Sequence, residues 1–182
     1  MAASFVNRAQ TLNARLRLCE NAARLGGMSL KRLLIIGHVP SGNTKKLRDA
    51  ALAGAQSGDV ECVEALALSP FDTGPDDVLA ANAIILGTTE NLGYMSGALK
   101  DFFDRCYYPC LELTQGMPYC LYIRAGHDGT GTRRGVETIV TGLHWRAVQE
   151  PLVCRGDWQE RFVEDCRELG AAMAAGLEAG IF

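Results

Sequence analysis

No run of apolar residues in this chain approaches the roughly 20 that a membrane-crossing helix needs, so no membrane span is expected. Charge of one sign is also lacking. Lys and Arg number 18 against 21 Asp and Glu, a net charge of −3 with no basic stripe, which argues against a nucleic-acid partner. The seven cysteines, at 19, 62, 106, 110, 120, 154 and 166, contain no CxxC pair. Cys106 and Cys110 lie nearest each other, but Pro109 stands between them and no other ligand clusters beside them, so no metal site is expected. Most of the cysteines fall inside apolar patterns, which suits reduced, buried thiols in a cytoplasmic protein. No Ser-His-Asp order or metal-ligand cluster points to hydrolytic or metal chemistry. What remains is ordinary for one globular domain with a sizeable core: 182 residues, 48% hydrophobic and 21% charged.

The most informative stretch runs from Leu33 to Leu52. Leu33-Leu34-Ile35-Ile36-Gly37 is a short apolar run, as expected of a strand covered on both faces. His38-Val39-Pro40-Ser41-Gly42-Asn43-Thr44 is a turn, and from Lys45 onward apolar residues recur at helical spacing (Leu47, Ala50, Ala51, Gly54, Ala55). A strand feeding a helix through such a turn leaves backbone N–H groups at the helix N-terminus, where the dipole favours an anion. The spacing Gly37-x-x-x-x-Gly42-Asn43-Thr44 is one residue away from a nucleotide-triphosphate loop, with Asn43 where the phosphate-reaching lysine would be. Lys45 lies two residues on, at a different angle around the helix. ATP and GTP are therefore discounted, and a single terminal phosphate suits the loop better. The alternative is that Ser41 and Thr44 only cap the helix.

Residues 1–28 differ in character. Arg8, Arg15, Arg17 and Arg24 face a single acid, Glu20, and Met28 would be a natural start. This extension reads as an over-long start or a loosely packed helix and receives no function. The domain proper is expected over 29–182. Val60–Leu66 alternates as an edge strand, 67–75 is a loop, and Asp76–Ala81 is a short helix. Ala83–Gly87 is a second buried strand, followed by the loop Thr88–Tyr94 and a helix carrying Leu99, Phe102, Phe103 and Cys106 on one side. Tyr119–Ile123 is a fourth strand, leading into the glycine-rich loop Ala125–Thr132. A helix over 133–143, a fifth strand region over 145–153 and a helix over 157–177 complete the chain. The last helix has Asp157 and Glu160 at capping-box spacing. Gly129-Thr130-Gly131 partly matches a dinucleotide fingerprint, but its third glycine, Gly135, falls one residue too far along.

Strand–helix alternation of this kind gives a three-layer α/β fold, a parallel sheet with helices on both faces. For five strands the order 2-1-3-4-5 places a crevice between the first and third strands at their carboxyl ends. The loops 38–44, 88–96 and 125–132 all leave strand carboxyl ends near that point, and all are rich in small polar residues.

Two of these loops carry a family likeness. Ser41-Gly42-Asn43-Thr44 before a Lys/Arg-bearing helix resembles the phosphate loop of flavodoxins. Gly87-Thr88-Thr89-Glu90-Asn91-Leu92-Gly93-Tyr94-Met95-Ser96-Gly97-Ala98-Leu99-Lys100 resembles the second flavin loop of NAD(P)H-dependent FMN reductases and flavin-dependent quinone reductases. The likeness covers about residues 30–178 and implies a flavodoxin-like fold. It implies FMN as cofactor, with its phosphate on Ser41, Gly42, Asn43 and Thr44. The ring would lie between Thr88, Thr89, Glu90, Asn91, Leu92, Gly93, Tyr94 and Met95 on one side and Ala125, Gly126, His127, Asp128 and Gly129 on the other. NAD(P)H is the implied reductant and a small acceptor such as a quinone the implied oxidant, in a homodimer. Tyr94 is then either a stacking platform or an ordinary half-exposed aromatic. His127 is either a catalytic proton donor or a turn histidine beside an Asx-turn at Asp128. Glu90, where the relatives often carry Arg, places a negative charge near the ring or the nicotinamide. Two rivals stand beside the reductase: an electron-carrying flavodoxin, for which a net charge of −3 is low, and a flavin-free interaction domain of the same fold.

Overall fold

The computed structural model describes residues 29–57 and 60–182; the expectation for the N-terminal extension lies outside the described residues. In chain order the elements are β1 (Lys31–Gly37), α1 (Gly42–Ala55), β2 (Val63–Leu68), α2 (Pro75–Leu79), β3 (Ala83–Asn91), β4 (Tyr94–Met95), α3 (Gly97–Cys110), β5 (Pro118–Ala125), α4 (Thr130–Gly142), β6 (Arg146–Ala147), β7 (Leu152–Arg155) and α5 (Arg161–Ala179). The sheet runs β2-β1-β3-β5, with β6 and β7 both pairing in parallel with β5. β6 meets the start of β5 and β7 its end, so together they are one interrupted fifth strand and the order is 2-1-3-4-5. β4 is an addition, paired antiparallel with the tail of β3.

The apolar runs explain the layering. In β1, β3 and β5 successive side chains alternate between faces, and both faces are covered. Leu34, Ile36, Ile84, Leu86, Leu121 and Ile123 pack against α3 and α4. Leu33, Ile35, Ile85, Cys120 and Tyr122 face α1 and α5. On that second face Gly37 and Gly87 leave room for the Tyr122 ring. A methyl group on Gly87 would lie 2.1 Å from Tyr122 Cζ. The Tyr122 hydroxyl ends in the interior without a partner among the described residues.

Helices α1 and α5 touch through their backbones. A Cβ on Gly54 would sit 1.9 Å from the Arg167 carbonyl oxygen, and one on Gly170 would sit 1.9 Å from that of Ala51. The two glycines are reciprocal, each admitting the other helix's main chain.

Several local expectations shift. β2 starts at Val63 and runs to Leu68. The 88–96 loop is a β-hairpin rather than irregular chain. Pro109 lies inside α3, one residue before its end. The last helix begins at Arg161, so Asp157 does not cap it, and Glu160 precedes the helix with no capping bond from its side chain. The Glu160 carboxylate instead accepts from Trp158 Nε1 at 2.8 Å. Cys106, Cys110, Cys120, Cys154 and Cys166 are free and buried as expected, but Cys62 is disulfide-bonded. No helix among the described residues is long and apolar enough to cross a membrane.

Gly170→Ala should lower stability by about 1–3 kcal/mol, because α5 must move off α1 or strain to clear a carbonyl. Gly42→Ala, where a Cβ meets nothing within 4 Å, should leave the melting temperature nearly unchanged. Thermal unfolding of the two variants checks the contrast.

Candidate functional site

The three polar loops do come together at the carboxyl ends of β1, β3 and β5, which are neighbours in the sheet. The first is the turn into α1. Ser41 is the N-cap: its Oγ accepts from the Thr44 N–H at 3.3 Å, and Thr44 Oγ1 accepts from the Ser41 N–H at 3.0 Å. This reciprocal box fixes the entry of the helix. Capping is therefore real here, yet it leaves donors over. The N–H groups of Gly42 and Asn43 find no acceptor among the described residues. Ser41, Gly42 and Asn43 are exposed, and no acidic side chain stands in the first turn of α1. An exposed helix N-terminus with two donors unpartnered among the described residues and no acidic side chain of its own is suited to an anion.

The second loop is the β3–β4 hairpin. Glu90 pairs with Met95 and Asn91 with Tyr94 across a two-residue turn. Leu92 and Gly93 at the turn both have positive φ, 53° and 75°. That is the backbone of the tight turn whose twist suits a hairpin. Leucine is rare in such a position, and Leu92 is fully exposed. Inside the hairpin, Thr88 and Ser96 are buried and paired. The Ser96 N–H donates to Thr88 Oγ1 at 3.1 Å, and Ser96 Oγ caps α3 by accepting from Leu99 N–H at 3.2 Å. The Thr88 hydroxyl is thus used within the protein, and Met95 is buried. Thr89 differs: its Oγ1 is inaccessible and has no partner among the described residues.

The hairpin lies on α4 by way of glycines. A Cβ on Gly131 would stand 2.1 Å from the Gly93 carbonyl oxygen, and one on Gly135 would stand 2.4 Å from the Tyr94 ring. The residues that partly match a dinucleotide fingerprint therefore seat the hairpin. Tyr94 rests on Gly135 with about two fifths of its surface exposed.

The third loop is tied to the second by one side chain. Glu90 Oε2 accepts the His127 N–H at 2.7 Å and Oε1 accepts the Gly129 N–H at 3.1 Å. Asp128 accepts from the Thr130 N–H at 2.8 Å, the expected Asx-turn, and that bond holds its carboxyl below the usual range. The His127 side chain, Gly126 and Asp128 are exposed, while Ala125 and Gly129 are buried. A Cβ on Gly126 would meet nothing within 4 Å, so the loop leaves space above β5. Just before it, Arg124 donates to the carbonyls of Cys154 at 3.0 Å and Gly156 at 2.6 Å, and also to that of Ala125.

Residues outside the expected set also border the crevice. The His38 N–H donates to the Gly87 carbonyl at 3.0 Å, which ties the first loop to β3. His38 Nδ1 is inaccessible and unpartnered, and its ring stands edge-on to Phe71 at 6.4 Å. No sequence signal marked either atom, because each depends on what packs beside it. No group of three or more His, Cys, Asp or Glu able to hold a metal occurs among the described residues.

An α/β sheet of order 2-1-3-4-5 with its polar crevice at this switch point is a flavodoxin-like fold. Comparison with known proteins agrees. The chain is 29% identical over 112 residues to a flavodoxin of Aquifex aeolicus (strain VF5), a match spanning 62% of this chain and 60% of that one, less than two thirds of the relative's length. Among solved structures, a flavodoxin from the domain Archaea superposes with a TM-score of 0.69 at 19% identity, covering 81% of this chain and 99% of that one. A WrbA-like flavodoxin from Agrobacterium tumefaciens gives 0.66 at 18% identity, covering 82% and 98%. An oxidoreductase from Corynebacterium diphtheriae gives 0.60 at 14% identity, covering 84% and 97%. No family model matches the chain.

Burial holds the His38 imidazole below its ordinary pKa of 6.5, so the folded state resists the proton that the unfolded state accepts. Stability should therefore be full above that value and decline as pH falls through the folded-state pKa. Urea unfolding at pH 7.5 and 5.5 should show a smaller acid-side loss for His38→Asn than for the unaltered protein.

Proposed function

We propose that this protein binds FMN and works as an oxidoreductase, taking hydride from NAD(P)H and passing electrons to a small acceptor such as a quinone. The observation that carries the proposal is the pair of N–H groups at Gly42 and Asn43, unpartnered among the described residues, set in an exposed helix N-terminus without an acidic side chain at the switch point. They fit one phosphate, and the lack of a lysine in that loop fits a ligand without a triphosphate. The unpartnered Thr89 hydroxyl fits a polar edge of a ligand held beside it. When bound, FMN supplies the hydride and electron chemistry.

The chain's own residues have simpler tasks in this scheme. Ser41 and Thr44 hold the phosphate corner in shape through their capping box. The hairpin and the 125–129 loop flank the ring, with Gly126 leaving space. The His127 side chain, exposed at the rim, is the group available to deliver a proton to a reduced acceptor. Thr88 and Met95 contribute backbone only, since their side chains face inward. A second reading, a flavodoxin-type electron carrier, is favoured by the likeness to the Aquifex aeolicus flavodoxin. In both readings the flavin corner is the same.

Titration with FMN should quench flavin fluorescence with saturation. Anaerobic NADH or NADPH should then bleach the visible absorbance of the complex. Bleaching by dithionite alone would select the carrier, and no uptake of FMN would reject both readings. Asn43→Asp should weaken FMN by about tenfold or more, since it puts a carboxylate where the phosphate would sit. The same change should leave the fold as stable or slightly more so, because an acid at a helix N-terminus is favourable. Titration and thermal unfolding on that one variant should thus move in opposite directions.

A further inference from the structure

The crevice opens where β3 and β5 part. Their parallel ladder ends at the pair Thr89–Arg124. Beyond it one chain turns into the hairpin and the other into the 126–129 loop, the two segments that flank the proposed ring position. Among the described residues, no backbone–backbone hydrogen bond joins residues 90–95 to residues 126–129. The connection is made by one side chain. Glu90 stands one residue past the last ladder pair, and its two oxygens accept the His127 N–H at 2.7 Å and the Gly129 N–H at 3.1 Å. Bonds from main-chain amides to a carboxylate are among the stronger ones. The partners lie 37 and 39 positions along the chain, so the contact is a product of the fold and not a local turn.

The two walls are not held alike. The hairpin has anchors of its own: Gly131 and Gly135 of α4 receive the Gly93 carbonyl and the Tyr94 ring, and Ser96 bonds to Thr88 at the stem. The loop is gripped just before it starts, where Arg124 donates to the Cys154 and Gly156 carbonyls, and Asp128 bonds locally to the Thr130 N–H. Gly126, His127 and Asp128 are exposed. Loss of the Glu90 carboxylate would therefore free the loop and leave the hairpin in place.

We infer that Glu90 is a positioning residue, which latches the 126–129 loop to the hairpin and so sets the separation of the two crevice walls before a ligand enters. Both of its oxygens are engaged by main-chain amides, so it acts on a ligand through the loop and not by touching it. A wall already in place spares the ligand the ordering of that wall on entry. A wall that must first find its place lowers the apparent affinity by the fraction of time it is in place. That loss falls on entry, because the complex once formed makes the same contacts. That the ligand is a flavin rests on the reading above; the latch does not.

The test compares the unaltered full chain with Glu90→Ala and with Glu90→Gln, which keeps one acceptor oxygen for the two amides. Without ligand, hydrogen exchange at the His127 and Gly129 amides should be about tenfold faster in Glu90→Ala, while the Ser96 and Leu99 amides of the hairpin stem should keep their rates. On rapid mixing with FMN, association should slow by about tenfold and dissociation should stay within about twofold, with Glu90→Gln falling between. A residue that serves stability alone would not divide the two rates in this way. Unchanged exchange at His127 and Gly129 overturns the inference, and so does a change confined to dissociation. Tighter FMN binding by Glu90→Gln than by the unaltered protein also overturns it, since the carboxylate would then act through its charge. No uptake of FMN by the unaltered protein would reject the flavin reading and leave the exchange comparison to decide the latch. Should Glu90→Ala not fold, Glu90→Gln carries both measurements.

Discussion

The contact between α1 and α5 decides where the candidate site can be. Gly54 and Gly170 let two helix backbones approach as closely as their carbonyls permit, so α1 has little freedom to slide or roll on the sheet. The N-terminus of α1 is then fixed relative to the tip of β1, and with it the direction in which the Gly42 and Asn43 N–H groups point. On the other face of the sheet the same device recurs, with Gly131 and Gly135 of α4 receiving the hairpin. Both walls of the crevice are therefore set by side chains that are missing. In each case the gain is close packing, and the cost is the extra chain entropy that glycine loses on folding.

Much of the architecture could be read from residue order. Leu33–Gly37, Ala83–Gly87 and Tyr119–Ile123 are continuous apolar runs because helices cover both faces of these strands, and that pattern separates central parallel strands from edges. The turn into α1 was legible too, since its capping residues Ser41 and Thr44 are local. What escaped depends on contacts far along the chain or on unusual turn chemistry. The hairpin was hidden because Leu92 occupies a left-handed position that normally advertises itself with Asn, Asp or Gly. The fifth strand is broken between Ala147 and Leu152, where Pro151 cannot donate to a ladder, so its pattern was blurred. Glu90 looked like a charge aimed at a ligand, and only the fold shows the two amides that hold it.

Electrostatics give the three corners different tasks. The first offers the Gly42 and Asn43 N–H groups, unpartnered among the described residues, the second offers a hairpin with a paired, buried hydroxyl core, and the third has its His127 and Gly129 N–H groups bonded to Glu90. A flavodoxin-like sheet supports carriers and enzymes alike, so any functional difference must reside in how these corners are dressed. Here the three loops present different groups at neighbouring strand ends.

The anchoring of the third corner has an evolutionary side. Arg124 grips the carbonyls of Cys154 and Gly156 just before the loop, and Glu90 holds the amides of His127 and Gly129 at its far end. Between these two clamps only a few exposed positions are unconstrained, and Gly126 adds no side chain at all. Such a segment can exchange residues, or lengthen, without disturbing sheet or helix. It is the part of the molecule where descendants of this chain could acquire new chemical preferences most freely, while the scaffold around it stayed as it is.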